Sequence, residues 1–329
     1  MPNFKEIVDN LPRQFTTALG ETKTRISSRT KNIIFCGVGG SALPADLLTT
    51  LFASRELQFA TKLQIHINRN FSLPKFVDKK WRGFFSSYSG NTAETLSCLA
   101  QAEKIGLREI VLLDHDGQLK HIAEEKGYPL VTIPDTNQPR LSYAYILGAL
   151  LKILNDSGLI KLNIAELNAD VEKCLSMKDK IETQGRVLAQ KLVGKVPVIY
   201  SSNEWKALAR VWKINFNENA KVPAFFNAFP ELCHNEMQGW DNKMTRSFHA
   251  IILNDSSADK NINKSIDSFQ KVLNDKLEIT KIEMEAGSPL LKMLTCLWLG
   301  LYTSYHLALI NKTEPAEVPL VAEFKSLLS

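Results

Sequence analysis

The sequence is poor in cysteine, and its cysteines do not follow a pattern that indicates disulfides. Five are spread over 329 residues, an odd number at wide spacings: Cys36, Cys98, Cys174, Cys233 and Cys296. Small secreted scaffolds instead carry an even number of cysteines at short spacings. The first residues also lack the basic-then-apolar order of a signal peptide. We therefore expect reduced thiols in a cytoplasmic protein.

Long apolar runs are missing as well. The most apolar segment, residues 290–310, is interrupted by Lys292, Thr303, Ser304 and His306. A membrane-spanning helix needs about 20 consecutive, predominantly apolar residues. We expect this segment to be a core or subunit-interface helix, and we expect no membrane partner.

No block of one charge is present. The 40 lysines and arginines are interspersed with 35 acidic residues, which leaves a net charge of +5. Nucleic-acid-binding domains concentrate their basic residues on one face or in one run, so we expect no nucleic-acid partner, and the small positive excess favours an anionic substrate. The six histidines show no spacing typical of zinc ligands, so we expect no metal.

Strand-like and helix-like patterns alternate along the chain, which is the rhythm of a parallel sheet with crossover helices. In the first half, strands are predicted over 32–36, 63–67, 83–87, 109–113 and 130–133, and helices over 42–54, 93–105 and 143–154. In the second half, strands are predicted over 196–200, 224–227, 249–253 and 277–282, and helices over 204–215, 261–273 and 290–309. We predict an α/β protein with two doubly wound parallel-sheet lobes packed through helices. The N-terminal domain covers 1–155, a helical bridge 156–195 and the C-terminal domain 196–329.

A dense group of hydroxyl side chains follows the third predicted strand. The segment reads Ser86-Ser87-Tyr88-Ser89-Gly90-Asn91-Thr92-Ala93-Glu94-Thr95, and a helix is predicted to begin near Asn91 or Thr92. A helix N-terminus presents free amide groups and the positive end of the helix dipole to an anion. The segment has no lysine of the kind that nucleotide triphosphatases use. It therefore favours a small phosphate group, against the alternative of an ordinary Ser/Thr-rich helix cap.

A glycine-rich turn follows the first predicted strand. The run Gly37-Val38-Gly39-Gly40-Ser41-Ala42 matches the G-x-G-x-x-A version of the dinucleotide fingerprint, but the second strand does not end in the acidic residue that binds the ribose. Arg69 would be an alternative for a 2′-phosphate. The same geometry would let Gly39, Gly40 and Ser41 approach a sugar beside the hydroxyl segment, because both turns lie at the carboxyl ends of strands.

Candidates for acid and base chemistry lie in the second half. Glu218 stands between two asparagines in Phe216-Asn217-Glu218-Asn219-Ala220-Lys221, and His234 follows soon after. Moving a proton between adjacent sugar carbons needs a base, an acid for ring opening, and positive charge near the developing enediolate. Arg140 and Lys325 are candidates for that charge. The alternative is that Glu218 is a helix-end surface residue and His234 a structural histidine.

Taken together, these segments resemble the bifunctional phosphoglucose/phosphomannose isomerases, which contain two sugar-isomerase (SIS) domains. The resemblance runs from the first strand to the last helix, and the Asn-Glu-Asn-Ala-Lys segment points to this family among SIS proteins. It implies that Ser41, Ser87, Ser89 and Thr92 hold the substrate phosphate beside Gly39 and Gly40.

The resemblance also implies roles for the remaining candidates. Glu218 would transfer the proton between C1 and C2 through a cis-enediol, and His234 from a neighbouring subunit would open the ring, so that a homodimer shares its active sites. Arg140 would stabilise the enediolate, and Lys325 would lie near the ring oxygen. No metal or other cofactor would be needed.

One position departs from the family pattern. A threonine usually precedes the proline before the last helix, and this chain has Val318-Pro319 instead. We therefore expect isomerisation of glucose 6-phosphate and leave turnover of mannose 6-phosphate open. Two alternatives remain: a regulator that binds sugar phosphates without catalysis, and a nicotinamide-dependent dehydrogenase.

Overall fold

The chain divides into two compact units in a computed structural model, Met1–Glu172 and Lys173–Ser329. The structure describes residues 3–27, 31–53, 58–59 and 63–327. The boundary between the units falls near the end of a helix over Ile164–Ser176, inside the stretch 156–195 that the sequence suggested as a helical bridge. Each unit is built around its own parallel sheet.

The first unit begins with two helices and continues as alternating strands and helices. Its elements in chain order are α1 (Phe4–Asp9), α2 (Leu11–Glu21), β1 (Asn32–Cys36), α3 (Leu43–Ala53), β2 (Gln58–Phe59), β3 (Gln64–Asn68), β4 (Arg82–Ser87), α4 (Ala93–Ile105), β5 (Glu109–Asp114), α5 (Gln118–Lys126), β6 (Leu130–Thr132), α6 (Tyr143–Asp156), β7 (Ile160–Lys161) and α7 (Ile164–Ser176). Asn3 caps α1, because its side chain accepts a hydrogen bond from the amide of Glu6 while the Glu6 carboxylate accepts one from the amide of Asn3.

The sheet of the first unit has the strand order β3-β1-β4-β5-β6, and all of its pairs are parallel. Every residue of β4 is buried, as expected for a central strand covered on both faces by helices. The chain leaves β1 toward β3 on one side and returns to β4 on the other. The sheet therefore has a topological switch point between β1 and β4, where open α/β sheets bind their ligands beyond the carboxyl ends of the strands.

The second unit has four parallel strands in the order β11-β10-β8-β9. Its elements are α8 (Lys178–Lys191), β8 (Val196–Ser202), α9 (Lys206–Glu218), β9 (Phe225–Phe229), β10 (Phe248–Asn254), α10 (Lys260–Leu273), β11 (Glu278–Glu283), α11 (Pro289–Ile310) and α12 (Pro319–Ser326). Helix α11 packs on α8 and α9 so closely that a Cβ atom on Gly300 would lie 2.5 Å from the Trp212 ring.

Helix α11 is the apolar segment that the sequence placed in a core or an interface. It is long and apolar enough, by length and composition, to cross a membrane, yet 78% of its most apolar window is buried inside the protein. The Trp212 indole N–H donates to the backbone oxygen of Cys296, 2.9 Å away, in the middle of the helix. The segment is therefore a core helix in this fold.

The predicted strands and helices agree with the structure, with ends that differ by three residues or fewer. The predicted α/β class with parallel sheets is confirmed. Residue 54, the predicted end of α3, lies outside the described residues. One pairing was not expected: the two-residue strands β2 and β7 form a separate antiparallel ribbon, and β7 is too short to give a sequence signal.

In the second unit, a buried ion pair joins the carboxyl end of β10 to helix α11. The Lys292 ammonium lies 2.9 Å and 3.0 Å from the two carboxylate oxygens of Asp255, and the residues are 9% and 8% exposed. The Trp205 indole N–H donates to the same carboxylate at 3.0 Å. Burial alone raises the pKa of Asp255, but the hydrogen bonds from Lys292 and Ser257 outweigh it and lower the pKa overall.

We expect Asp255→Ala to lower the free energy of unfolding of this unit by about 3–5 kcal/mol, because it leaves a buried ammonium without a counter-charge. The double variant D255A/K292M should recover most of that loss, since it replaces the pair by apolar atoms. Urea unfolding followed by tryptophan fluorescence measures both, because four of the five tryptophans lie in this unit. Equal destabilisation of the single and double variants would contradict the account.

The same pair predicts an acid dependence. The Asp255 pKa is lower in the folded protein than in the unfolded chain, so its stabilisation is present above the unfolded pKa of about 3.9 and is lost as the pH falls through the lowered folded value. Below about pH 4, wild type should therefore lose stability more steeply than D255A/K292M. Parallel acid unfolding curves for the two proteins would show that the pair does not contribute.

Candidate functional site

Two turns meet at the switch point of the first unit. One is a 3₁₀ helix over Gly39–Ala42 that follows β1, and the other is the hydroxyl-rich turn that follows β4. They are joined directly, because the amide of Tyr88 donates a hydrogen bond to the buried Ser41 Oγ at 3.1 Å. The sheet order thus brings Ser41 beside the second turn, as the sequence predicted.

Three hydroxyls of the second turn form one cluster. Ser87 Oγ lies 2.8 Å from Thr92 Oγ1 and 3.4 Å from Ser89 Oγ. Thr92 is the N-cap of α4, so the amides of the first helical turn and the positive end of the helix dipole are directed toward this cluster. Ser87 is buried, Thr92 is half-buried and Ser89 is exposed. This arrangement can bind a phosphate through hydroxyl and amide donors.

Glycines give this cluster its shape. Gly90 has a φ of +67°, and a Cβ atom there would lie 2.4 Å from Asp114 Oδ2. A Cβ atom on Gly40 would lie 2.6 Å from the backbone nitrogen of Arg140. A side chain at either position would force the turns apart, so both glycines are required for close approach.

Arg140 lies against the glycine turn and is only 1% exposed. It belongs to a short 3₁₀ helix over Pro139–Leu141. Its Nη1 group donates to the side-chain oxygen of Gln138 at 3.1 Å, which fixes one edge of the guanidinium. A buried guanidinium whose backbone packs against the glycine turn can stabilise negative charge on a ligand bound at that turn.

The structure does not favour the dinucleotide alternative. Arg69, the candidate for a 2′-phosphate, is paired with Asp46 on α3 at 2.5 Å. The side-chain amide of Asn68, where β3 ends, donates to the backbone oxygen of Ser72 and to the Cys98 sulfur. Both side chains at the end of this strand are thus engaged within the protein.

Asp114 ends β5, and the chain bends over 115–117 before α5 begins. Asp114 Oδ2 accepts hydrogen bonds from the amides of Gly117 and Lys120 at the start of α5. Desolvation raises the pKa of this buried carboxyl group. Within residues 3–27, 31–53, 58–59 and 63–327, no group of three or more His, Cys, Asp or Glu side chains could hold a metal ion.

Glu218 is the last residue of α9 in the second unit, and both of its asparagine neighbours are anchored. Asn219 donates to Ser304 Oγ at 2.9 Å, and Asn217 donates to the backbone oxygen of Val222, also at 2.9 Å. The Lys221 ammonium bonds the backbone oxygen of Glu218 at 2.7 Å, which closes the helix end. The asparagines are therefore structural, and they fix the backbone that carries the half-buried Glu218.

His234 is exposed and ends a 3₁₀ helix over Glu231–His234. The chain after it is held by the Glu236 carboxylate, which accepts hydrogen bonds from Tyr200 at 2.5 Å and from Asn227 at 2.6 Å. Burial and the nearby carboxylate raise the pKa of Tyr200, so its phenol remains a hydrogen-bond donor. The exposed imidazole of His234 thus lies two residues before a carboxylate that is hydrogen-bonded to β8 and β9.

Lys325 lies on α12, a helix in which no residue is buried. Val318, the position at which the sequence departs from the family pattern, is the N-cap of this helix and provides no side-chain cap. A threonine there could accept a hydrogen bond from the first helical turn.

The structure therefore groups Ser41, Ser87, Ser89, Thr92, Gly39, Gly40 and Arg140 in the first unit, and it places Glu218, His234 and Lys325 in the second. The sequence did not single out Tyr88, Gln138 or Glu236, although each contacts a segment that carries a candidate. For Tyr88 a signal was available, namely its position between two serines of the hydroxyl segment.

Comparisons with known proteins agree with this picture. The model of the bacterial phospho-glucose isomerase C-terminal SIS domain matches residues 181–328. The bifunctional phosphoglucose/phosphomannose isomerase of Caldicellulosiruptor bescii is 30% identical over 340 residues, covering 98% of each chain. The D-glucosamine-6-phosphate 4-epimerase of Sulfolobus acidocaldarius is 33% identical over 230 residues, covering 70% of this chain and 71% of that protein.

A solved structure extends the similarity to the fold. A hypothetical protein of Thermus thermophilus superposes with a TM-score of 0.79 at 15% identity, covering 99% of this chain and 90% of that one. The sequence match to the Caldicellulosiruptor bescii protein, over 98% of each chain, identifies the family more specifically than the shared fold does. The chain belongs to the bifunctional phosphoglucose/phosphomannose isomerase family.

Proposed function

We propose that the protein is an aldose–ketose isomerase that interconverts glucose 6-phosphate and fructose 6-phosphate. The observation that carries the proposal is the hydroxyl cluster of Ser87, Ser89 and Thr92 at the switch point of the first sheet. The name and full-length similarity of the Caldicellulosiruptor bescii relative supply the reaction class. Mannose 6-phosphate is the second aldose to be tested.

The mechanism assigns each candidate one task. The hydroxyl cluster and Ser41 bind the phosphate at C6, which leaves the other end of the sugar free to react. His234 opens the ring by giving a proton to the ring oxygen, while the proton of the C1 hydroxyl passes to solvent water. Glu218 then takes the proton from C2 to give the cis-enediolate, the hydroxyl proton of O2 passes to O1, and return of the carbon-bound proton to C1 gives the ketose. No electrons leave the sugar, so the reaction needs no redox partner.

Two cationic side chains would stabilise the negative charge that develops during these reaction steps. The enediolate carries negative charge on the oxygens of C1 and C2, and the Arg140 guanidinium would stabilise it there. Lys325 would act near the ring oxygen. This mechanism uses side chains alone, so a chelator should not inhibit the reaction.

We also propose that the enzyme is a cytoplasmic homodimer in which His234 of one subunit serves the site of the other. His234 is exposed, and the chain that follows it is held by the hydrogen bond between Glu236 and Tyr200. This arrangement supports a role for His234 in the active site of a neighbouring subunit. The family resemblance gives the subunit arrangement.

Two other functions are tested by the same substrates. A regulator that only binds sugar phosphates would use the hydroxyl cluster and have no need of Glu218. The similarity to the D-glucosamine-6-phosphate 4-epimerase makes D-glucosamine 6-phosphate a second candidate substrate. Wild-type turnover of fructose 6-phosphate to glucose 6-phosphate separates the isomerase from both.

We expect Glu218→Gln to lower kcat by about 10²–10⁴-fold, because it removes the base and keeps the shape of the side chain. The KM for fructose 6-phosphate should change little, since the phosphate contacts lie on other residues. Glucose 6-phosphate and mannose 6-phosphate are measured separately as products.

A matched control is Glu278→Gln, because Glu278 is exposed and lies in the second unit, bonded to Lys195 at the amino end of β11. It should keep activity close to wild type. Equal turnover by Glu218→Gln and wild type would eliminate Glu218 as the base, and binding without turnover by wild type would favour the regulator.

Mixed dimers test the sharing of the site. Neither Glu218→Gln nor His234→Ala should be active alone. Co-expression of the two chains with different tags should restore about a quarter of wild-type activity, because half of the randomly formed dimers regain one intact site. Purified dimers that carry both tags but remain inactive would show that both residues act within one subunit.

A further inference from the structure

Tyr88 contacts three segments that follow strands of the first sheet. It lies in the turn after β4, between two candidate phosphate ligands, and its side chain is half-buried. Its backbone and ring together reach the segments that follow β1, β5 and β6.

Tyr88 contacts the segments after β1 and β5 through its backbone and its ring. Its amide donates to Ser41 Oγ at 3.1 Å, and its backbone oxygen accepts from the amide of His115 at 3.3 Å. The phenol ring stacks on the imidazole of His115, with centroids 5.2 Å apart and planes 12° apart. Nδ1 of that imidazole lies 2.8 Å from the backbone oxygen of Ile133.

The phenol oxygen of Tyr88 contacts the segment after β6. It accepts a hydrogen bond from the amide of Thr136 at 2.8 Å and donates to Asp135 Oδ1 at 3.1 Å. The same carboxylate oxygen accepts from the amide of Asn137 at 2.9 Å. Burial raises the pKa of Tyr88, so the phenol keeps the proton that it donates.

The segment held by Tyr88 leads directly to Arg140. Thr136 Oγ1 donates to the backbone oxygen of Gln138 at 3.1 Å, and the amide of Gln138 donates back to the backbone oxygen of Thr136. The side-chain oxygen of Gln138 then accepts from the Arg140 guanidinium. On its other side, the backbone of Arg140 packs against Gly40. Hydrogen bonds therefore connect the phenol to the guanidinium through two intervening residues, Thr136 and Gln138.

We propose that Tyr88 is a positioning residue whose phenol fixes residues 135–138, so that Gln138 holds the Arg140 guanidinium in the orientation that stabilises the enediolate. This inference rests on the proposed isomerase function, because the enediolate whose charge Arg140 stabilises is an intermediate of that reaction. The contacts of Tyr88 with Ser41 use its backbone amide, which a phenylalanine retains. Loss of the phenol should therefore affect Arg140 and leave the phosphate contacts in place.

The test compares Tyr88→Phe with Tyr128→Phe. Tyr128 is a matched control in the same unit, because its phenol also bonds a carboxylate, Glu103, at 3.1 Å. Tyr88→Phe should lower kcat on the order of ten- to a hundredfold, the cost of a small misplacement of a catalytic group. Its KM should stay within about twofold, and Tyr128→Phe should match wild type in both constants.

Two non-reactive ligands separate positioning from a general loss of structure. D-arabinonate 5-phosphate carries a carboxylate where the enediolate charge develops, and D-glucitol 6-phosphate carries the same phosphate without that charge. Tyr88→Phe should bind the carboxylate more weakly by about the factor lost in kcat, while its affinity for the glucitol stays unchanged. Gln138→Ala interrupts the connection nearer Arg140 and should show the same selective loss.

The outcomes are distinct. Equal weakening of both ligands in Tyr88→Phe, or wild-type kcat in that variant, would overturn the positioning role. If Tyr88→Phe does not fold, Gln138→Ala with unselective binding would overturn it. Absence of turnover in wild type, with no preference for the carboxylate ligand, would instead contradict the proposed function.

Discussion

The hydrogen bond from the Tyr88 amide to Ser41 Oγ joins the two turns on which the rest of the candidate site depends. It is possible only because the sheet reverses its order between β1 and β4, so that the turns following two strands distant in sequence lie side by side. The glycines follow from the same constraint. With Arg140 packed on one turn and Asp114 on the other, Gly40 and Gly90 leave no space for a Cβ atom.

Much of the fold could be predicted because parallel sheets with crossover helices give a strong local signal. The buried strand β5 has a continuous apolar run over 110–113, and α4 is capped by recognisable residues, Thr92 and Gly106. Elements without such signals were not predicted. The two-residue strand β7 has no periodicity, and the short 3₁₀ helices around His234 are determined by contacts of Glu236 with β8 and β9.

The candidate site was predictable in its residue types and not in its connections. Ser87, Ser89 and Thr92 are close in sequence and converge on one cluster, as expected for a turn before a helix. The contact of Arg140 with Gly40 spans a hundred positions and depends on the whole sheet. The route from the Tyr88 phenol to Arg140 could not be predicted either, because its first hydrogen bond is to the backbone amide of Thr136, an atom that every residue except proline possesses. The segment Asn217-Glu218-Asn219 indicated the family, and the structure adds that its asparagines are anchors.

In the proposed function, the hydroxyl cluster of the first unit holds the substrate by its phosphate. A crystal structure of the wild-type protein with D-glucitol 6-phosphate tests this most directly. The account predicts phosphate oxygens within hydrogen-bonding distance, about 2.5–3.0 Å, of the hydroxyls of Ser87, Ser89 and Thr92. A ligand bound with its phosphate elsewhere, and those hydroxyls still bonded only to one another, would contradict it.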